Sequence, residues 1–303
     1  MKALWRPLLG VAIGVGFVIF IQRYVGWQAL LAPWANLPLQ AIGAAALLTL
    51  LSYWLRALRF YDYFPADMTG RFSLCTRLML QHNLLNNLLP MRTGELSFPV
   101  LMARYFGVAA ARSLPALLWF RLMDLHSLGI FALVAFAGTL WPASAGLAVL
   151  FAWVPLPWLA FHYSNRLHRR LDQHDRRAVA RWLRRLLEGF PRQAEAFWRA
   201  WGWTFINWLV KLGVFAWVLQ WFLPVPYRTA VFGAIAGDLT SVLPIHGVAG
   251  AGTYEAGVMA GLLPYGVAAQ PALAAAVNLH LFLLGTTLAG GGVSLFIGGA
   301  RRG

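Results

Sequence analysis

Four carboxylates lie inside segments whose other residues are mostly apolar. The chain has 10 Asp and Glu residues, and six of them fall in predicted loops. The remaining four are Glu95, Asp124, Asp238 and Glu255. A charge at membrane depth costs about 3 kcal/mol even on lenient insertion scales. We therefore expect each of these carboxylates to have a partner or a function.

Two arginines stand three residues before two of these carboxylates. Arg92 precedes Glu95 and Arg121 precedes Asp124, so on a helical turn each pair shares one face. Either pair could bind the phosphate of a lipid headgroup, because guanidinium groups are good bidentate phosphate ligands. Either could equally be an internal ion pair, and the sequence leaves both interpretations open.

Lys211 lies near the centre of an apolar segment, too far from either end to reach water easily. Its expected counter-ion is Asp238, Glu255 or a lipid phosphate. The two carboxylates could instead hold or relay a proton, because desolvation disfavours their charged form. Substrate contact and internal pairing both remain open for Lys211.

Gly250 and Gly252 could present backbone amides to an anion, although their spacing is not that of a dinucleotide-binding loop. Four histidines are scattered without metal-ligand spacing: His82, His126, His246 and His280. The last two are candidate polar residues of a cavity. No GxSxG nucleophile motif occurs. We therefore expect no metal, no cofactor and no enzymatic activity.

The elements that must position these residues are membrane-spanning helices. Of the 303 residues, 60% are hydrophobic and 12% charged, a composition far from that of soluble domains. Six apolar stretches reach or approach the roughly 20 residues that a helix needs to cross a bilayer. They are 7–22, 40–55, 128–140, 143–161, 202–223 and 272–298. The sequence therefore predicts an all-α polytopic membrane protein with about six transmembrane helices, the first retained rather than cleaved as a signal.

Positive charge is concentrated in one segment. The net charge is +15, and ten arginines fall within 164–200. Under the positive-inside rule this segment is a cytoplasmic loop, and we expect it to lie on anionic lipid headgroups rather than to bind nucleic acid. A role as a topology signal alone is also open.

Two further apolar segments, 72–106 and 229–265, are interrupted by polar residues, proline and glycine. We interpret each as a re-entrant helical hairpin. The Lys and Arg positions place both termini in the cytoplasm, with the first hairpin entering from inside and the second from outside. This gives three spans and one hairpin, repeated in inverted orientation, with halves of about 1–141 and 142–303 in a single integral membrane domain.

An internal echo supports the duplication. The sequence GVAA begins at Gly107 and again at Gly266, and Arg121 and His280 follow these glycines at the same distance, fourteen residues. LPMRTGE precedes the first GVAA, and LPIHGVAGAGTYE precedes the second. Inverted repeats with interrupted helices place a polar site near the bilayer midplane. We therefore expect a polar cavity between the two hairpins.

The motifs NNLLPMRTGE, FRLMD and LPIHGVAGAGTYE resemble those of the transmembrane flippase region of lysylphosphatidylglycerol synthases. The resemblance implies a helical membrane domain with re-entrant segments that transfers aminoacylated phosphatidylglycerol, or another lipid or lipid-linked sugar in stand-alone members. Carried over position by position, it implies these site residues: Asn87, Arg92, Glu95, Arg121, Asp124, Gly250, Gly252 and Glu255.

The leading hypothesis is a stand-alone lipid flippase or scramblase of the bacterial inner membrane. It would move the headgroup of an anionic, aminoacylated or glycosylated (phospho)lipid, anchored by Arg92, Arg121 and Lys211, while the acyl chains stay in lipid. An alternative is a non-transporting membrane partner of a glycosyltransferase or lipid synthase. A membrane-embedded enzyme acting on lipid phosphate and a carrier of small soluble anions are further alternatives, and a homo-oligomer is left open.

Overall fold

The structure, a computed structural model, describes residues 5–136, 142–172, 183, 187–240 and 248–297, and within them all regular structure is helical. We number the α-helices in chain order. They are α1 Trp5–Tyr24, α2 Trp27–Leu31, α3 Leu39–Tyr63, α4 Pro65–Met68, α5 Phe72–Leu88, α6 Ser97–Phe106, α7 Ala110–Phe136, α8 Ala143–Trp153, α9 Leu156–Asp172, α10 Ala194–Phe222, α11 Tyr227–Thr240, α12 Thr253–Leu262 and α13 Ala269–Phe296. The predicted all-α class is confirmed.

Five helical segments are long and apolar enough to cross a membrane: Leu39–Tyr63, Ala110–Ala135, Ala143–Ser164, Ala194–Phe222 and Ala269–Phe296. A sixth span results if Ala12–Tyr24 and Trp27–Asn36 are counted together, although they meet at 87°. The prediction of about six spans is therefore confirmed by length and composition. The chain is a multi-pass membrane protein.

The bend near Tyr24 is held by polar contacts to α13. Trp34 donates a hydrogen bond from Nε1 to Asn278 Oδ1 at 2.6 Å, and Asn278 Nδ2 donates to the Leu30 carbonyl at 3.0 Å. Leu30 also belongs to a small buried apolar cluster with Ile21 and Leu273. The chain after α1 therefore packs along α13 instead of continuing the first helix.

The chain divides into two compact units built from separated stretches. Unit 1 comprises Met1–Tyr53, Leu80–Glu95 and Leu209–Phe296, and unit 2 comprises Trp54–Met79, Leu96–Trp208 and Ile297–Gly303. The boundaries at 53/54, 79/80 and 208/209 fall inside α3, α5 and α10, and none coincides with the division into predicted halves 1–141 and 142–303. The inverted repeat therefore stays a prediction.

Unit 2 is built around an aromatic core. The Phe60 ring lies 4.7 Å from that of Phe98 and 4.5 Å from that of Phe120, centroid to centroid. All three side chains are fully buried. Because Phe60, Phe98 and Phe120 belong to α3, α6 and α7, this core fixes the three helices against one another.

The first interrupted segment, 72–106, consists of α5, a 3₁₀ helix at Pro90–Leu96, and α6. Gly94 makes the fold-back close, since a Cβ at this position would lie 2.2 Å from the carbonyl oxygen of Leu85. The predicted interruption is therefore present. Its entry from one membrane face remains a prediction.

The second interrupted segment contains α11 and α12, packed as a close antiparallel pair. A Cβ on Gly257 would lie 2.4 Å from Thr240 Cγ2, and one on Gly261 would lie 2.5 Å from the Phe232 carbonyl oxygen. Glycine on one helix thus meets the backbone or a short side chain of the other. Residues 241–247, including His246, lie outside the described residues.

The two GVAA motifs share a backbone conformation. Gly107 (φ 71°, ψ 12°) follows α6, and Gly266 (φ 77°, ψ 11°) follows the 3₁₀ turn after α12. Glycine adopts this left-handed conformation without the steric penalty that a side chain brings. In each case a long helix, α7 or α13, begins three residues later. This likeness supports the predicted duplication without establishing it.

Helices extend into the predicted basic segment 164–200 from both ends. Helix α9 continues to Asp172 and α10 already begins at Ala194. Gly189 packs so closely on α7 that a Cβ would lie 2.1 Å from the Pro115 carbonyl carbon, and its carbonyl accepts a hydrogen bond from the Tyr63 hydroxyl. The end of the predicted loop therefore packs on unit 2. Residues 173–182 and 184–186 lie outside the described residues.

Candidate functional site

Lys211 and Asp238 form an ion pair in unit 1. Lys211, in α10, donates from Nζ to Asp238 Oδ1 of α11 at 2.7 Å. The Asp238 side chain is 3% exposed. Of the counter-ions that the sequence allows for Lys211, the structure thus provides Asp238. An ammonium at this distance compensates the carboxylate for the water it has lost.

Glu255 and His280 form a second pair in unit 1. His280 Nδ1, in α13, lies 2.6 Å from Glu255 Oε1 of α12. The other carboxylate oxygen, Oε2, accepts a hydrogen bond from the Gly252 backbone N–H at 2.8 Å. Glu255 therefore caps the N-terminus of its own helix and holds α13 at the same time.

Tyr254 lies near both pairs. Its ring centroid is 4.7 Å from that of His280, and its ring would lie 3.2 Å from a Cβ added to Gly237, the residue before Asp238. The hydroxyl is buried and has no hydrogen-bond partner within the part of the chain that the structure describes. We call Lys211, Asp238, Tyr254, Glu255 and His280 the buried polar network of unit 1.

The backbone before α12 is locally strained. Ala249 has φ 55°, which is unusual for a residue with a side chain, and Gly250 and Gly252 have φ 80° and 85°. The predicted role for Gly250 and Gly252 was an amide nest for an anion. The Gly252 amide already donates to Glu255, so a ligand there would have to displace this carboxylate.

Asn87 is anchored to α13 within unit 1. Its Nδ2 donates to Thr287 Oγ1 at 2.9 Å, and the Tyr53 hydroxyl lies 3.3 Å from the same oxygen. Glu95, in the 3₁₀ helix Pro90–Leu96, is partly buried. Arg92 belongs to the same 3₁₀ helix, and its side chain lies outside the described residues. The proposed pairing of Arg92 with Glu95 stays a prediction.

Asp124 of unit 2 is surrounded by cations. Its Oδ1 accepts hydrogen bonds from Arg59 Nη1 at 2.7 Å and from Trp208 Nε1 at 3.1 Å. Its Oδ2 lies 3.7 Å from Arg121 Nη1 and 3.8 Å from Arg56 Nη2. We call Arg56, Arg59, Arg121 and Asp124 the arginine cluster of unit 2. These four side chains carry formal charges of +3 and −1.

Arg59 is the fixed member of the arginine cluster. Its side chain is 2% exposed, against 15% for Arg56 and 22% for Arg121. Nη1 also donates to Thr204 Oγ1 at 2.9 Å, and the guanidinium carbon lies 4.6 Å from the centroid of the Phe120 ring. Arg59 and Asp124 therefore form a buried ion pair, and the more exposed Arg56 and Arg121 lie close to its carboxylate.

Arg56 and Arg59 were not predicted as site residues, because the second apolar stretch was expected to end at residue 55. In the structure α3 continues to Tyr63, so both arginines lie within this helix. The available signal was the continued aromatic pattern of Phe60, Tyr61 and Tyr63, together with the three-residue spacing of the arginines, which puts both on one helix face.

Within the described ranges, no group of three or more His, Cys, Asp or Glu side chains is placed to hold a metal ion. The chemistry offered by the described residues is that of ion pairs and hydrogen bonds. Arginines can bind a phosphate, and buried carboxylates can bind an amine, a hydroxyl or a proton.

Comparison with known protein families gives a match over most of the chain. The family described as the lysylphosphatidylglycerol synthase TM region matches residues 8–291. No curated protein matches the chain, and no solved structure does.

Proposed function

We propose that this chain, which belongs to the family of the lysylphosphatidylglycerol synthase TM region, is a lipid flippase or scramblase. It moves the polar headgroup of an anionic, aminoacylated or glycosylated (phospho)lipid across the bacterial inner membrane. Membership of the family supports a function that involves membrane lipid. Because the helices are mostly apolar, the buried charged side chains are the groups available to bind a polar headgroup.

The arginine cluster of unit 2 carries the proposal. An arginine inside an apolar span is costly unless it is paired or has a function, and here three converge on Asp124. Because Arg56 and Arg121 keep part of their surface exposed, their guanidinium groups can reach a lipid phosphate. Arg59 and Asp124 act as positioning residues, because both are buried and bonded to each other.

The helix breaks in unit 1 also support the proposal. Unit 1 contains residues 90–95 of the first break and Val248–Gly250 of the second. Broken helices are tolerated at membrane depth where protein or a water-filled cavity satisfies the backbone. We propose that the two breaks open to opposite membrane faces, with both termini in the cytoplasm, and that the protein has no enzymatic activity.

The proposal is tested with purified protein in vesicles of phosphatidylethanolamine and phosphatidylglycerol that contain NBD-labelled phosphatidylglycerol. Reduction of the outer-leaflet label by dithionite reports the movement of inner-leaflet lipid. We expect Arg121→Gln to slow this movement at least about tenfold, because a hydrogen bond to a charged group contributes about 1.5–3 kcal/mol.

The matched control is Arg112→Gln on the same helix. Arg112 is half exposed and pairs with Asp67 at 2.9 Å, outside the arginine cluster. We expect its rate to stay within about twofold of the wild type, since exposed ion pairs contribute about 0–1 kcal/mol. Equal rates in Arg121→Gln and Arg112→Gln would show that the arginine cluster does not bind the headgroup during transport. Label movement no faster than in empty vesicles, for aminoacylated and glycosylated lipids as well, would favour a non-transporting partner.

A further inference from the structure

The pair formed by Glu255 and His280 has the geometry of a shared protonation site. His280 Nδ1 and Glu255 Oε1 are 2.6 Å apart, and both side chains are at least nine-tenths buried. When Glu255 is ionised, Nδ1 carries the hydrogen of this bond. The nitrogen that can gain or lose a proton is then Nε2, which faces Gly250, where an added Cβ would lie 3.7 Å away.

The charged and titratable groups around this pair come from several helices. Helix α10 contributes Lys211, α11 contributes Asp238 and α12 contributes Tyr254. Helix α3 contributes Tyr53, whose hydroxyl faces Thr287. Helix α1 packs beside the turn before α12 through Gly14 and Phe17, which carry no charge: a Cβ on Gly14 would lie 3.8 Å from Val248, and one on Gly252 would lie 3.7 Å from Phe17.

The formal charges of these groups depend on His280. Lys211 and Asp238 cancel, and the tyrosines are neutral. With His280 neutral, the ionised Glu255 leaves the network at −1. With His280 protonated, the network sums to zero. A buried network of zero net charge is more stable at membrane depth than one that carries a net charge, because charged groups lose their hydration there.

We propose that Glu255 and His280 together form a proton-binding site and that its proton moves with the lipid headgroup. The second part rests on the proposed function. The proton binds at His280 Nε2 while Nδ1–H continues to donate to Glu255, and it leaves to water when the pair becomes hydrated from one membrane face. No other bond forms or breaks.

Asp238 is a poorer proton carrier than this pair. Lys211 lies 2.7 Å from its Oδ1, so protonating the carboxylate would leave a buried ammonium without its counter-ion. Glu255 has no lysine or arginine within ion-pair distance in the described ranges, and its partner is a histidine, whose imidazole can bind a second proton and then donate from both ring nitrogens. The sequence left open that Asp238 or Glu255 holds or relays a proton. The structure therefore favours Glu255 for this role.

The same pair can transmit its protonation state to the backbone. Glu255 Oε2 accepts from the Gly252 amide beside the strained residue Ala249. Loss of the proton from His280 weakens the attraction between Oε1 and the imidazole. The contact between α12 and α13 is then weaker next to the break of the second interrupted segment. In this way proton release is connected to a conformational change.

Proton binding is measured first and without reference to any lipid substrate. Protein with ¹⁵N-labelled histidine is placed in nanodiscs of phosphatidylethanolamine and phosphatidylglycerol and titrated between pH 5 and 8.5. The His280 signal is identified by its loss in His280→Gln. We expect it to change reversibly between neutral and protonated forms, with a smaller protonated fraction at acidic pH in Glu255→Gln. A His280 signal that keeps one form throughout would overturn the proposal.

The control for this titration is His126, which lies in a span of unit 2. A ring nitrogen of His126 is 3.0 Å from the Trp153 carbonyl oxygen, so its nearest polar contact is not a carboxylate. Its titration should be the same in the wild type and in Glu255→Gln. A shift of both histidines in Glu255→Gln would indicate a general structural change rather than a shared site and would count against the proposal.

Coupling to lipid movement is tested in the NBD vesicle assay with an imposed gradient of one pH unit. If one proton accompanies one lipid, the steady-state distribution of the label shifts by up to about tenfold. We expect the shift in the wild type and in His126→Gln and its absence in His280→Gln. His280→Arg keeps a positive charge at every pH and should also lose the response, whatever rate remains.

The outcomes separate the two proposals. Coupling is overturned if the pH gradient does not shift the label distribution in the wild type, or if the shift persists in both His280 variants. Either result leaves the proposed function intact. A wild type that moves no lipid overturns the proposed function, and with it coupling. The histidine titration then still decides whether Glu255 and His280 bind a proton.

Discussion

Replacement of Asp124 by asparagine tests whether the arginine cluster is a buried, mutually dependent unit. Asparagine keeps the shape of the side chain and one acceptor oxygen but removes the negative charge. Arg59, 2% exposed, then remains buried without its carboxylate. Removing one partner of a buried ion pair costs about 3–5 kcal/mol. We expect Asp124→Asn to lower the free energy of unfolding by about this amount.

The assay is equilibrium unfolding in mixed micelles of rising dodecyl sulfate content, followed by far-ultraviolet circular dichroism. The matched control is Asp67→Asn, which makes the same chemical change in unit 2. Asp67 pairs with Arg112, whose side chain is 51% exposed. An exposed pair of this kind is worth about 0–1 kcal/mol, so the two variants should differ by about 3 kcal/mol.

A double variant refines this comparison. Arg59→Leu with Asp124→Leu removes both buried charges, and the arginines that remain in the cluster, Arg56 and Arg121, are partly exposed. We expect it to be more stable than Asp124→Asn alone, since replacing both members of a buried pair is often close to neutral. The reasoning about Arg59 is refuted if Asp124→Asn has the same free energy of unfolding as Asp67→Asn. It is also refuted if the double variant is the least stable of the three.

Two further comparisons, each of a variant with its control, test unit 1 in the same unfolding assay. Gly257→Ala should cost about 1–3 kcal/mol, because its Cβ would lie 2.4 Å from Thr240 and overpacking forces the helices apart. Gly285→Ala, where no atom lies within 4 Å of the added carbon, should change stability by no more than about 1 kcal/mol. Lys211→Met should cost about 3–5 kcal/mol by removing the ammonium that pairs with the buried Asp238, and adding Asp238→Leu should recover most of this loss. Equal stability of the two alanine variants, or no recovery in the double variant, would contradict the packing and pairing described for unit 1.

The sequence predicted the helical class and the number of spans because both depend on composition and segment length. It also located the interruptions, since prolines, glycines and polar residues mark breaks in apolar segments. Helix ends were less predictable. The second span was expected to stop before Arg56, yet burial of Arg59 against Asp124 and the bond from Trp203 Nε1 to Asp62 at 2.8 Å extend α3 by two turns.

The site was predicted in part. Of the four carboxylates that the sequence singled out, three are buried and paired in the structure: Asp124, Asp238 and Glu255. The identity of two partners could not be read from the sequence. His280 follows Glu255 by 25 residues and Arg59 precedes Asp124 by 65. Contacts at such separations depend on how helices pack rather than on local spacing.

The transport account depends on the two breaks of unit 1 opening to opposite faces of the membrane. Cysteine accessibility tests this directly, in a Cys75→Ser background, because Cys75 is buried and is the only cysteine in the chain. Thr93→Cys and Ala251→Cys place single thiols at the two breaks. We expect a membrane-impermeant maleimide to label Thr93→Cys only from the cytoplasmic side and Ala251→Cys only from the other side. Labelling of both thiols from the same side alone would contradict the account.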